Sequence, residues 1–145
     1  MQPFPHRYSV AATAEVEGDV TLDSERLASI PSAPPVEFGG PGDRWSPETL
    51  LVAAVADCFV LTFRAIAAIS KLSWLALECR VTGTVDRVER VTRFTEFTVH
   101  ASLRVPPGAN AEQARRLLEK AEQACLISNS LKAQSRLEAH VEVGS

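Results

Sequence analysis

Cysteine is scarce in this chain, with three residues among 145, and methionine and tyrosine occur once each. Three thiols are too few, and odd in number, for the disulfide framework of a small secreted domain. Neither C-x-x-C nor H-x-x-x-H occurs, and His6, His100 and His140 lie far apart, so no metal-ligand spacing is present. A Gly-rich loop leading to Lys-Ser or Lys-Thr is also missing, which removes the common nucleotide-binding signature. Basic runs are lacking too. Lys and Arg number 15 against 18 Asp and Glu, for a net charge of -3. A phosphate backbone needs a basic face, so no nucleic-acid partner is expected. Met1 to Tyr8 carries Pro3 and Pro5 and no apolar stretch of the kind that opens a secretory signal, so a cytoplasmic location is expected.

What is present is an ordinary globular composition, 46% hydrophobic and 23% charged. The length predicts a single domain, residues 1–145, able to bury a core without staples. One apolar run, Leu50 to Ile69, is about long enough to cross a bilayer at ~20 residues. Asp57 and Arg64 interrupt it, and each charge is costly in lipid. It is therefore predicted to be a buried core helix, with no membrane partner.

The remaining elements follow from pattern. Tyr8 to Val16 and Val20 to Asp23 predict two strands joined by a turn at Glu17-Gly18-Asp19. Ile30 to Pro47 is rich in Pro and Gly and predicts a loop. Ser46-Pro47-Glu48 is a helix start: a capping hydroxyl, a proline suited to the first turn, and a carboxylate at the positive end of the dipole. Two alternating strands follow, around Leu75 to Thr82 and Glu96 to Val105, and predict antiparallel sheet with one wet face. Asn110 and Gln113 resemble a capping box ahead of a helix striped with Ala114, Leu117, Leu118, Ala121 and Cys125. Ser135 to Val143 alternates as a last strand. The order, two strands, helix, two strands, helix, strand, is α+β.

Two thiols are aimed inward from helices. Cys58 shares an apolar face with Leu51, Ala54, Val55 and Ala65, and Cys125 closes the stripe of the second helix. A dithiol peroxidase needs such a pair: one thiolate attacks the O–O bond and becomes a sulfenic acid, and the second condenses with it to a disulfide. Free cysteine also packs as a small hydrophobe, and spacing alone leaves that alternative open. Cys79, on the apolar side of a strand, is read as packed.

The stretch Phe38-Gly39-Gly40-Pro41-Gly42, then Ser46-Pro47-Glu48-Thr49-Leu50-Leu51, Ala54 and Asp57-Cys58-Phe59, resembles the signature of the OsmC/Ohr family, the osmotically inducible and organic hydroperoxide resistance proteins. Downstream, Ala121 and Cys125-Leu126-Ile127-Ser128-Asn129-Ser130-Leu131 resemble the second cysteine motif of that family. The element order matches as well, so the resemblance covers nearly the whole chain. It implies an OsmC-like α+β fold in which antiparallel sheets wrap around two core helices in an intertwined homodimer. It also implies reduction of organic hydroperoxides, and often hydrogen peroxide, by Cys58 with Cys125 resolving. Turnover would use a dithiol reductant such as a lipoyl group, with no cofactor and no metal.

The resemblance further implies an activating Glu and Arg. Glu48 matches the glutamate, but ten residues of straight helix rise ~15 Å, so direct contact with Cys58 needs a kink near Ala53 to Ala56 or a bridging arginine. The arginine is expected from the first hairpin or from the loop before the helix. Here the hairpin has none; the loop offers Arg44, and Arg26 lies further back. Arg44 is the expected cation. Burial and Asp57 are both expected to raise the Cys58 pKa. The alternative function is a non-enzymatic dimer of this fold that binds a hydrophobic small molecule in an interface pocket, with Trp45, Phe59 and Phe63 as candidate lining residues.

Overall fold

Short β-prone runs punctuated by Gly and Pro begin the chain, and they pair with their sequence neighbours. In the computed structural model, which describes residues 1–144, the chain forms two units, Met1–Leu51 and Val52–Ser145. In the first, β1 (Ala11–Thr13), β2 (Val20–Asp23) and β3 (Ile30–Ser32) form an antiparallel sheet in that order. Gly18, at φ 97, supplies the left-handed residue of the expected β1–β2 turn. β1 is shorter than its β-prone run because only Ala11–Thr13 finds partners on β2. β3 falls inside the predicted loop. Pro31 hides it in the sequence, but as an outer strand β3 tolerates a residue without an N–H.

The chain then passes through a short 3-10 turn, Val36–Phe38. A Cβ at Gly40 would collide with the Pro34 carbonyl, so only glycine allows this close approach. The loop returns to the sheet where Ala33 N–H donates to the Trp45 carbonyl at 2.9 Å. Helix α1 (Pro47–Ile69) starts as its sequence predicts: Thr49 N–H donates to Ser46 Oγ at 3.1 Å, and Ser46 N–H donates to Thr49 Oγ1 at 2.9 Å. This is a reciprocal cap with Thr in the place that Glu or Gln usually takes. The helix is unbroken, so the kink near Ala53 to Ala56 is absent.

The second unit contains the rest of α1, then β4 (Ala76–Val88), β5 (Val91–Val105), α2 (Ala111–Ala124), the four-residue α3 (Leu126–Asn129) and β6 (Gln134–Val143). The sheet order is β4-β5-β6. β4 and β5 form a long antiparallel hairpin whose central residues, Glu89 and Arg90, are both left-handed, at φ 51 and 70. β6 departs from the antiparallel expectation and runs parallel to β5. Alternation shows that one face is wet but does not give direction; direction is set by the helical crossover between β5 and β6, which only a parallel pair requires.

Phe97, Val99, Ala101, Leu103 and Val105 of β5 are buried, and His100, Ser102 and Arg104 between them are exposed. α2 is capped by Asn110, whose Oδ1 accepts from Gln113 N–H at 3.0 Å, as expected. It buries Ala114, Leu117, Leu118 and Ala121. α1 is long and apolar enough to cross a membrane. Its stripe Val55, Phe59, Phe63 and Ala67 is buried, as in a core helix, while Leu61 and Ile69 face outward. Phe63 meets Trp74 edge-on at 5.5 Å; truncating such a ring to alanine costs ~3–5 kcal/mol.

Candidate active site

Cys58 stands one residue before the buried Phe59 and is half-buried at the border of the stripe. One turn on, Thr62 Oγ1 lies 3.8 Å from its sulfur. Cys125 is 1% exposed and marks the junction of two helices. It ends α2 and begins α3 with an extended backbone, φ -64 and ψ 112. This placement differs from a simple continuation of the α2 stripe, and it has a chemical consequence. The first N–H groups of a helix have no partner within it. In α3 those of Leu126 and Ile127 act on the Cys58 thiol and lower its pKa, as the Cys125 thiol does. The corner is held by Asn129 Nδ2 donating to the Gln123 carbonyl at 3.0 Å and Ser130 Oγ donating to the Leu126 carbonyl at 2.9 Å.

The electrostatics depart from the sequence expectation. Burial does push Cys58 up, and it is the largest single influence. The donors Ile127 N–H, the Cys125 thiol, Thr62 hydroxyl and Leu126 N–H together outweigh it and hold Cys58 below its ordinary value. Asp57 is exposed and is not among the groups acting on this thiol. Cys125 is pushed the other way, first by burial; the Ser128 hydroxyl and N–H oppose this, and the neighbouring Cys58 adds to it. Cys58 is therefore the more acidic thiol of the pair, and Cys125 the less acidic. Both are free thiols.

Cys79, which carried no partner signal in the sequence, belongs to the same neighbourhood. Burial, and then the charge of Cys125, push it up to about 11. Its register is set by the antiparallel hairpin, where it stands opposite Ala101 of β5.

Arg44 and Glu48 belong to the first unit. Arg44 Nε contacts Asp19 Oδ2 at 2.9 Å, and its NH1 lies 3.6 Å from Asp43. The Asp19 hydrogen bond, then the charges of Asp19 and Asp43, raise its pKa. Its carboxylate partners are thus hairpin and loop aspartates rather than Glu48. Glu48 Oε1 is buried with no hydrogen-bond partner among the described residues. It lines a cavity of ≈ 470 Å³ in this unit, together with Ala12, Leu22, Pro35, Phe38 and Leu50. His100 pairs with Glu138 at 3.4 Å on the exposed sheet face.

Residues 40–140 match the family model described as OsmC-like protein. The uncharacterized protein YmaD of Bacillus subtilis is 29% identical over 129 residues, 86% of this chain and 85% of that protein. An organic hydroperoxide resistance protein of Xanthomonas axonopodis pv. citri is 30% identical over 119 residues, 82% of each. Among solved structures, an OsmC-like protein of unknown function from Vibrio cholerae superposes with a TM-score of 0.85 at 16% identity, over 93% of this chain and 99% of that one. At that identity the likeness concerns the fold alone. An organic hydroperoxide resistance protein OsmC from Legionella pneumophila has a TM-score of 0.74 at 25% identity, over 96% and 100%.

Proposed function

The chain belongs to the OsmC-like protein family, and from that premise we propose that it reduces organic hydroperoxides with Cys58 as the attacking thiolate and Cys125 as the resolving thiol. Relatives named for organic hydroperoxide resistance support a redox role. What supports the finer reading is the mutual influence of Cys58, with its lowered pKa, and Cys125 at the start of α3. The Cys58 thiolate attacks one peroxide oxygen, the O–O bond breaks, and the alkoxide leaves as alcohol after taking a proton. Cys58 is then a sulfenic acid. Cys125 attacks its sulfur, water leaves, and the Cys58–Cys125 disulfide forms. An external dithiol, such as a lipoyl group, returns both thiols and becomes a disulfide itself. The two electrons come from the chain's own thiols, so the proposal includes no cofactor. Arg44 and Glu48 are proposed to assist the peroxide step, as cation and carboxylate.

A cytoplasmic homodimer is part of the proposal. Leu61, 50% exposed, and Ile69, 82% exposed, leave an apolar side of α1 for a second copy to cover. The apolar cavity of the first unit favours the second reading, a dimer that binds a hydrophobic small molecule without turnover. Stopped-flow oxidation of the reduced protein separates the two. Fast, second-order loss of the Cys58 thiolate with cumene hydroperoxide or hydrogen peroxide, followed by disulfide formation, is expected. A thiol no faster than a free one, in a protein that binds the hydroperoxide unchanged, refutes the peroxidase.

A further inference from the structure

Between Leu50 and Ile69 helix α1 has one hydroxyl, that of Thr62. Threonine is a poorer helix former than the alanines and leucines around it, so local structure does not call for it there. A mid-helix threonine commonly turns its hydroxyl back to the carbonyl four residues earlier. Here that residue is Cys58, and the partner of the hydroxyl among the described residues is the Cys58 side chain: Thr62 Oγ1 lies 3.8 Å from Sγ. Both residues are half-buried, at the border of the buried stripe Val55, Phe59, Phe63 and Ala67. A molecule that reaches the sulfur therefore meets this hydroxyl one turn on. Asp57 and Arg64, the charged residues of the stretch, are exposed. A peroxide oxygen poised for attack stands ~3–3.5 Å from the sulfur. A hydrogen bond to the hydroxyl needs ~2.8 Å. With the 3.8 Å between sulfur and hydroxyl these lengths close a triangle, so one peroxide can meet both at once. No backbone shift is required, because a hydroxyl proton rotates to suit its partner.

We infer that Thr62 is a catalytic hydrogen-bond donor, whose hydroxyl turns from the Cys58 sulfur to the leaving oxygen of the peroxide as the O–O bond breaks. The step rests on Cys58 being the peroxide-attacking thiol, as proposed above. The Cys58 thiolate attacks the terminal peroxide oxygen; the S–O bond forms, the O–O bond breaks, and its electron pair leaves with the alkoxide. The terminal oxygen and its proton stay on sulfur as the sulfenic acid. The Thr62 hydroxyl donates to the alkoxide and keeps its own proton, and the alkoxide becomes alcohol with a proton from solvent. Before attack the negative charge is spread over a large, polarisable sulfur. In the transition state it gathers on a small oxygen, which accepts a shorter and stronger hydrogen bond. A donor held more tightly in the transition state than before it lowers the barrier. A donor that stayed on sulfur would act differently: it would make the thiolate more abundant but less nucleophilic. The two roles have opposite signs once Cys58 is fully ionised. Loss of a donor to sulfur then speeds attack, and loss of a donor to the leaving oxygen slows it.

The test compares two reagents across pH on the reduced full-length protein, in a Cys79→Ser background, with reaction at Cys58 read by mass spectrometry of quenched aliquots. Cumene hydroperoxide expels a basic alkoxide. Iodoacetamide reacts with the same thiolate but expels iodide, which needs no donor. Rate constants are taken on the high-pH plateau, where ionisation of Cys58 is complete. Thr62→Val keeps the shape of the side chain and deletes the hydroxyl. It is expected to slow cumene hydroperoxide about tenfold on the plateau, the lower end for a hydrogen bond to a charged group. The iodoacetamide plateau should stay level or rise. Thr62→Ser, which restores the hydroxyl, should recover most of the peroxide rate and leave iodoacetamide as in the parent. Thr62→Ala makes the same comparison if the valine variant does not fold. Plateau rates that change by one factor for both reagents, or a peroxide plateau that does not fall, overturn the inference and leave Cys58 as the attacking thiol. A parent Cys58 that reacts with iodoacetamide and is inert to peroxide overturns the peroxidase itself, and the role of Thr62 with it.

Discussion

Replacing Leu126 with proline removes a hydrogen-bond donor from the Cys58 sulfur with little else that the fold depends on. Leu126 is the first residue of α3, where the N–H has no helical partner and a proline's fixed φ is suited to the helix. The residue before a proline must be extended, and Cys125 already is, at φ -64 and ψ 112. The Leu126 side chain is 65% exposed, so its loss empties no core. A hydrogen bond to a charged group contributes ~1.5–3 kcal/mol. The Leu126 N–H has the smallest effect of the four donors, so the lower end applies. About 1.4 kcal/mol is a tenfold loss of thiolate at a pH below the Cys58 pKa. The remaining thiolate is more basic and more nucleophilic, with a Brønsted slope of ~0.4–0.5, so the net slowing is roughly threefold. The assay is the rate of Cys58 alkylation against pH, with thiolate absorbance as a second readout, in a Cys79→Ser background. Leu126→Ala keeps the N–H and is the control. If Leu126→Pro and Leu126→Ala titrate alike, the α3 backbone does not hold the thiolate and the electrostatic account of the site fails.

Ser128→Ala takes a hydroxyl donor from Cys125 and should raise the Cys125 pKa further; peroxide attack is expected to stay unchanged while the sulfenic acid on Cys58, trapped with dimedone, persists several-fold longer. Cys79 prefers its neutral form in the fold, with a pKa raised from an ordinary 9.0 to about 11. Its contribution to stability is therefore complete below pH ~9 and is lost as pH rises through the folded value; urea titrations should show Cys79→Ala flattening that alkaline loss, and an unchanged slope would contradict it. Arg44→Ala should slow peroxide attack on the order of 10²-fold, ~2.7 kcal/mol, and Glu48→Gln less, because it disorients the cation without deleting it; a rate equal to the parent's for Arg44→Ala makes Arg44 a surface partner of Asp19. Sedimentation at low micromolar concentration should find only dimer, and Leu61→Glu together with Ile69→Glu should shift it to monomer or unfolded chain.

The corner at Cys125 shows why the site was only partly legible. The apolar stripe of α2 placed Cys125 correctly as an inward-facing residue. The same stripe did not show that the helix stops there and starts again. A four-residue α3 is too short to carry a period, and its first two N–H groups are backbone atoms that no side-chain pattern encodes. The expectation that Cys58 would be raised followed from burial and Asp57, the only influences visible along the chain. Donors from a distant segment reversed it. Cys79 was expected to be merely packed for the same reason, since the group whose charge acts on it, Cys125, belongs to a distant segment.

The sequence by itself determined what local chemistry can determine. Ser46 and Asn110 begin helices because a side-chain oxygen meets an N–H three residues on, whatever surrounds it. The spacing of apolar residues decided which faces of α1, α2 and the strands turn inward, and the absence of basic runs and metal spacings narrowed the chemistry. Tertiary structure alone decided the parallel course of β6, the meeting of Cys58 with Cys125 and the acidity of each thiol. These depend on groups far apart in the chain, and a thiol's pKa is the balance of its desolvation against the donors that happen to face it.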